Sequence, residues 1–204
     1  MSQFADLAAL TIHDVKNRLA LVAARAEANG DAETLRGVLE AAAQLTDLLA
    51  WYRAEHDRLR VDIDARVPAD LIEELSASLR RQTALEIVAE SEAAPELAFY
   101  DETLVRMVVL DALYNAVRHA RSRIVLRAGS DNGWLVFAVA DDGPGYPPAI
   151  LAEPVAMQPI TRQGTGLGLH LAARIAALHE NQGQTGRIEL NNDGGAVFRL
   201  FLPL

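Results

Sequence analysis

The spacing of apolar residues changes once along this chain, near residue 57, and the change limits what each part can fold into. Before it, Phe4, Ala8, Ile12, Val15, Leu19, Val22 and Ala26 recur at steps of three and four, as do Leu35, Val38, Ala42, Leu45, Leu49 and Tyr52. That is the period of a helix with one apolar stripe. The spacing predicts a helix over 3–28 and a second running to about His56. Between them, Gly30 suits the left-handed position that ends a helix, and Asp31 suits the cap that starts the next. A connection this short makes an antiparallel helical hairpin. Two helices cannot enclose a core, so the stripes are expected to meet those of a second copy in a dimeric four-helix bundle. The alternative is that the hairpin packs back on the rest of its own chain.

After residue 57 short strands mix with helices. Leu59–Ile63 and Leu85–Ala89 read as strands, Pro68 starts a helix, and Asp101 caps a long helix to about Ala120. Arg123–Arg127 and Trp134–Val139 flank a turn at Gly129–Gly133. A helix is expected over about 165–180, followed by a hairpin of Arg187–Leu190 with Ala196–Phe201. Without regular strand–helix alternation, this order points to an α+β two-layer sandwich with helices on one face of a mixed sheet. The expected domains are therefore a helical hairpin at 1–57 and an α+β domain at 58–204.

Composition narrows the classes. A net charge of -9 argues against nonspecific binding to nucleic acid or an anionic membrane. The absence of cysteine removes thiolate metal sites and a Cys nucleophile, and it fits a reducing compartment. The start, Met1-Ser-Gln-Phe-Ala-Asp6, lacks the basic and apolar run of a signal peptide. No stretch reaches the roughly 20 apolar residues of a membrane helix. The expectation is a cytoplasmic chain without membrane insertion.

Three segments of the second part describe a nucleotide pocket. In Asp111-Ala-Leu-Tyr-Asn115, the carboxylate and the amide lie one helical turn apart on one face. Such oxygens can hold Mg²⁺, with phosphates supplying the remaining ligands. Arg118 and His119 follow on the same helix, within reach of a phosphate. In Asp141-Asp-Gly-Pro-Gly145, a carboxylate at a strand end can accept from an exocyclic amine, and Gly143 and Gly145 let the backbone approach a flat base. Asp141 is the preferred acceptor, with Asp142 pointing elsewhere. Gly164-Thr165-Gly166-Leu167-Gly168 opens a helix whose free N–H groups favour phosphate. Between the glycine segments, 146–163 carries four prolines and reads as an irregular lid, with Arg162 placed to touch a terminal phosphate. Each segment alone has a plain alternative: a solvated helix face, an Asp-Gly turn, a glycine run.

A fourth segment supplies a nucleophile. His13 and Asn17 lie one turn apart off the apolar stripe of the first helix, with Asp14 beside His13. A neutral imidazole nitrogen can attack phosphorus, and Asp14 can hold the tautomer that leaves that nitrogen free. Asn17 can orient a water for the reverse hydrolysis. By itself the segment is also an ordinary polar helix face; the pocket downstream favours the chemistry. His56, His170 and His179 carry no such pairing, the last two falling on nearly opposite faces of one helix.

Together these residues resemble the sensor histidine kinases. His13–Asn17 looks like their H box, Asp101–His119 like the N box and its lead-in, Asp141–Gly145 like the first glycine box, and Gly164–Leu169 like the second. The resemblance implies a dimerisation and histidine-phosphotransfer domain followed by an ATP-binding domain of the Bergerat type. It implies that His13 takes the γ-phosphoryl of Mg-ATP and passes it to an Asp of a response regulator receiver domain. The carry-over makes Asp14 the acidic helper, Asn115 the Mg²⁺ ligand and Asp141 the adenine contact. Asp14 and Asn17 are spaced like the pair that serves phosphatase activity toward the regulator. Three features depart from the family. No sensory segment precedes the hairpin, so the signal is expected through a separate sensor protein or a small ligand. Arg18 stands where many members have Pro, and the lid lacks their Phe-containing box. A non-catalytic phosphotransfer module with weak nucleotide binding is the runner-up, and an ATPase or serine kinase on the same fold is the third reading.

Overall fold

A computed structural model describes residues 15, 18–31, 34, 35, 37, 38, 41, 42, 45, 61–152 and 166–204. The chain divides into two compact units, Met1–Leu59 and Arg60–Leu204.

In the first unit, residues 18–28 are helical. The helix ends where the sequence puts the stop: Gly30 takes φ +69°, and the Asp31 N–H donates to the Ala26 carbonyl at 2.9 Å. Asp31 Oδ1 then accepts from the Thr34 N–H at 3.0 Å, which caps the next helical stretch. Of the first stripe, Val15 and Val22 are exposed within the chain and Ala26 is buried.

The second unit is built on a five-stranded sheet. Its strands are β2 (Glu86–Ala93), β4 (Arg123–Asp131), β5 (Trp134–Asp141), β8 (Arg187–Asn192) and β9 (Ala196–Pro203), in the order β2-β4-β5-β9-β8. The β2–β4 pair is parallel and the others are antiparallel. Three helices cover one face. α1 (Pro68–Arg80) packs on β2 and β4, α2 (Glu102–His119) on β5, and α4 (Gly166–Leu178) on β8 and β9. The strands alternate accordingly. Ile124 and Leu126 of β4, Leu135, Phe137 and Val139 of β5, and Phe198, Leu200 and Leu202 of β9 point under the helices, buried. Each such side chain contributes roughly 1.5–3 kcal/mol of burial. The unit is the expected α+β two-layer sandwich. Two small ribbons complete it: β1 (Asp64–Arg66) with β3 (Ala98–Tyr100), and β6 (Glu180–Asn181) with β7 (Gln184–Thr185).

Three local expectations are corrected. Residues 61–63 are not strand, and β1 begins at Asp64. The Asp62 N–H is instead held by Asp101 Oδ2 at 2.8 Å, so it cannot join a ladder. The turn between β4 and β5 shrinks to Asn132-Gly133, both at positive φ, which suits a two-residue hairpin. α4 stops at Leu178, and the chain turns into the β6–β7 ribbon.

Asp101 ties the helical layer together. Its Oδ1 accepts from the Leu104 N–H at 3.0 Å, which caps α2. Its own N–H donates to Nε2 of His179 at 3.1 Å, beyond the end of α4. His179 is buried, and its Nδ1 faces the Ile175 carbonyl at 2.8 Å, so the ring is the neutral Nδ1–H tautomer. Burial pushes the His179 pKa below its ordinary value, outweighing the Ile175 hydrogen bond and the Asp101 charge. The unfolded ring titrates near 6.5. Below that pH the unfolded chain binds a proton that the folded chain resists, so this stabilisation is complete above about 6.5 and is lost as pH falls. Urea midpoints of residues 60–204 are expected to drop between pH 7 and 5, and to drop less for His179→Gln, which offers an amide oxygen and does not titrate. Parallel profiles for the two proteins would contradict this role.

Candidate functional site

A cavity of about 430 Å³ opens between α2, the loop after β5, and the start of α4. α2 presents Asp111, Asn115, Arg118 and His119 to it, one helical face fixed by the Asp101 cap. The end of β5 delivers Asp141. Residues 135, 137 and 139 already point under the helices, so strand parity sends Asp141 the same way. Asp141 Oδ1 accepts from the Gly143 N–H at 2.7 Å and from the Ala196 N–H at 3.3 Å. These bonds fix the carboxylate and leave Oδ2 without a partner among the described residues, on the cavity wall.

Asp142 does separate work. Its carboxylate accepts from the Arg121 N–H at 2.8 Å and from the Ser122 hydroxyl at 2.6 Å. These bonds, led by the Ser122 hydroxyl, hold its pKa well below the usual carboxylate range. It secures the link between α2 and β4 and lies outside the cavity lining.

Asp111 is packed against the first turn of α4. A β-carbon at Gly168 would overlap its carboxylate, so any larger residue there requires the Asp111 side chain or α4 to shift. Burial raises the Asp111 pKa, and the Arg118 guanidinium partly offsets it. The Asn115 side chain lines the same cavity and makes no hydrogen bond to the described residues. Among the described residues, no three His, Cys, Asp or Glu side chains gather into a metal cluster. A hard cation here would take oxygens from Asn115 and Asp111, and the rest from its ligand; this donor set fits Mg²⁺.

The other expected positions divide by whether they are described. Gly143 and Gly145 form the turn after Asp141, and Gly145 also lines the cavity. Gly166, Leu167 and Gly168 lie in the first turn of α4. His13, Asp14, Asn17, Arg162, Gly164 and Thr165 lie outside the described residues.

Two contributors escape sequence reading. Asn192, at the end of β8, bonds both backbone groups of Tyr146. Its Oδ1 accepts from the Tyr146 N–H at 2.7 Å, and its Nδ2 donates to the Tyr146 carbonyl at 3.0 Å. Gly145, at φ +82°, lies so close to the Asn192 amide that a β-carbon would overlap it. The clamp brings Tyr146, read as the start of an irregular lid, into the cavity wall beside Pro144 and Phe198. The lid itself begins with a short helix, α3 (Pro148–Leu151).

Comparison with known proteins gives a consistent picture. The family model described as "Histidine kinase-, DNA gyrase B-, and HSP90-like ATPase" matches residues 100–204. The sensor protein TorS of Escherichia coli is 34% identical over 110 residues, covering 51% of this chain and 12% of TorS. The solved ATP-binding domain of PrrB from Mycobacterium tuberculosis is similar at a TM-score of 0.54 with 27% identity, covering 70% of this chain and 97% of that one. ShkA, solved full-length in complex with AMPPNP, is similar in fold at a TM-score of 0.64 with 19% identity, covering 96% of this chain and 44% of that one. The chain spans from 12% to 31% of the length of the curated relatives it matches.

Proposed function

Because the chain belongs to the histidine kinase-, DNA gyrase B- and HSP90-like ATPase family, we propose that the cavity binds ATP with Mg²⁺ and donates the γ-phosphoryl group to His13. One observation supports this reading: Asp141, Asn115 and Leu169, the residue after the α4 glycines, line one cavity of about 430 Å³. Asp141 accepts from the adenine amine. The N–H groups at the start of α4 face the phosphates, with Gly164 and Thr165 preceding them and Arg118, His119 and Arg162 adding positive or donor groups. Asn115, with Asp111, holds the cation, which neutralises charge on the phosphate oxygens.

In the phosphoryl transfer, one imidazole nitrogen of His13 bonds to the γ-phosphorus while the bridging oxygen leaves with ADP. Asp14 orients the imidazole and balances its developing positive charge. The phosphoryl group then passes to an Asp carboxylate of a response regulator receiver domain, and Asn17 positions water for the hydrolytic direction. The sensor histidine kinases among the relatives support this assignment. The reading includes a homodimer formed by the helical hairpin of residues 1–57, and Val15 and Val22, exposed within one chain, support it. It places residues 58–204 as the catalytic domain, on the cytoplasmic side where ATP is available.

Titration calorimetry tests the nucleotide half of the proposal. ATP is expected to bind with micromolar to submillimolar affinity, tighter with Mg²⁺ than with EDTA. Asn115→Ala is expected to lose about tenfold in affinity and most of the Mg²⁺ dependence. Absence of nucleotide binding at millimolar concentration would overturn the reading.

A further inference from the structure

The cavity contains a donor that none of the roles above uses. Tyr146 lines it, half-buried, with its backbone N–H and C=O both hydrogen-bonded to the Asn192 amide. Its phenol oxygen has no hydrogen-bond partner among the described residues. The ring lies within electrostatic reach of both Asp141 and Asp111, and burial, with these two carboxylates, raises its pKa far above the ordinary phenol value. The hydroxyl is therefore a neutral donor at any physiological pH. It stands in the same pocket as the Asp141 acceptor, on a side chain whose backbone cannot shift away.

We infer that the Tyr146 hydroxyl is a specificity-determining donor that reads a ring nitrogen next to the exocyclic amine of the base. The inference rests on the ATP reading of the cavity. An adenine edge offers an amine donor flanked by unprotonated ring nitrogens that accept. Asp141 Oδ2 accepts from the first, and Tyr146 Oη–H donates to the second. A guanine edge presents a carbonyl where the amine would be, and its oxygen would face the Asp141 carboxylate. The acceptor thus selects adenine at the amine, and the donor adds a second point of selection where the nitrogen it reads is the one between amine and C2, which guanine carries protonated; the nitrogen of the five-membered ring accepts in both bases. Asn192 is the positioning residue behind it, because it determines where residue 146 enters the wall.

The test is calorimetric binding of Mg-ATP, Mg-1-deaza-ATP and Mg-7-deaza-ATP to the wild-type chain and to Tyr146→Phe, which keeps the ring and removes only the hydroxyl. Thermal unfolding checks that the variant is folded. The wild type is expected to bind ATP three- to tenfold more tightly than one of the two deaza analogues. Tyr146→Phe is expected to lose the same factor for ATP and to show no further loss with that analogue. Unchanged ATP affinity in folded Tyr146→Phe would overturn this inference and leave the ATP reading intact. Undiminished discrimination against the deaza analogues in the variant would do the same. Failure of the wild type to bind ATP would overturn the ATP reading, and this inference with it.

Discussion

Asp141→Asn is expected to weaken ATP binding by about 10- to 100-fold while leaving the fold in place. The size follows from the type of bond lost: a hydrogen bond to a charged acceptor contributes about 1.5–3 kcal/mol. The fold survives because the asparagine amide oxygen can still accept from the N–H groups of Gly143 and Ala196, which lie at 2.7 and 3.3 Å from Asp141 Oδ1. The other end becomes an NH₂ group facing the adenine amine, donor against donor. The same change should favour inosine triphosphate, whose base carries a carbonyl in place of the amine. The ratio of ATP to inosine triphosphate affinity is therefore expected to fall in the variant, measured by calorimetry. Equal losses for both nucleotides would show that Asp141 supports the pocket without reading the base.

Gly168→Val is expected to destabilise residues 60–204 and to abolish nucleotide binding. A β-carbon at this position falls on the Asp111 carboxylate, and a branched side chain extends the overlap along α4. Overpacking of this kind costs about 1–3 kcal/mol. Either α4 moves away from α2, which opens the cavity, or Asp111 is driven toward Asn115. Both outcomes spoil the proposed phosphate end of the site. The second substitution Asp111→Ala makes room, so the double variant should regain most of the lost stability in urea unfolding. It should not regain Mg²⁺-dependent binding, because the proposed cation site needs both Asp111 and Asn115. A Gly168→Val protein with both wild-type stability and wild-type Mg²⁺-dependent nucleotide binding would contradict the packing of Asp111 against residue 168.

Much of this arrangement is written locally. Asp101 precedes an apolar run and caps it, as the sequence implies. Alternation along β5 separates Asp141 from Asp142: the first continues the inward parity of Leu135, Phe137 and Val139, and the second falls outward onto Ser122. Asp111 and Asn115 reach one cavity because four residues make about one helical turn. What is not legible depends on distant partners. The clamp on Tyr146 comes from Asn192, 46 residues away, inside a stretch that reads only as a hairpin turn. The start of β1 depends on Asp62 finding Asp101, 39 residues on. The pairing of His179 with the N-terminus of α2 joins residues 78 apart, so the sequence shows only an unassigned histidine. Ribbons of two or three residues, such as β3, β6 and β7, carry too few positions to show a period at all.

The central claim is that this cavity feeds His13, and the most direct measurement is transfer of label from γ-³²P-ATP. The full chain is incubated with the nucleotide and Mg²⁺, next to His13→Ala and Asn115→Ala. The wild type is expected to carry an acid-labile, base-stable label, absent from His13→Ala and reduced at least about a hundredfold in Asn115→Ala. A label that persists in His13→Ala, or one that survives acid, would contradict it.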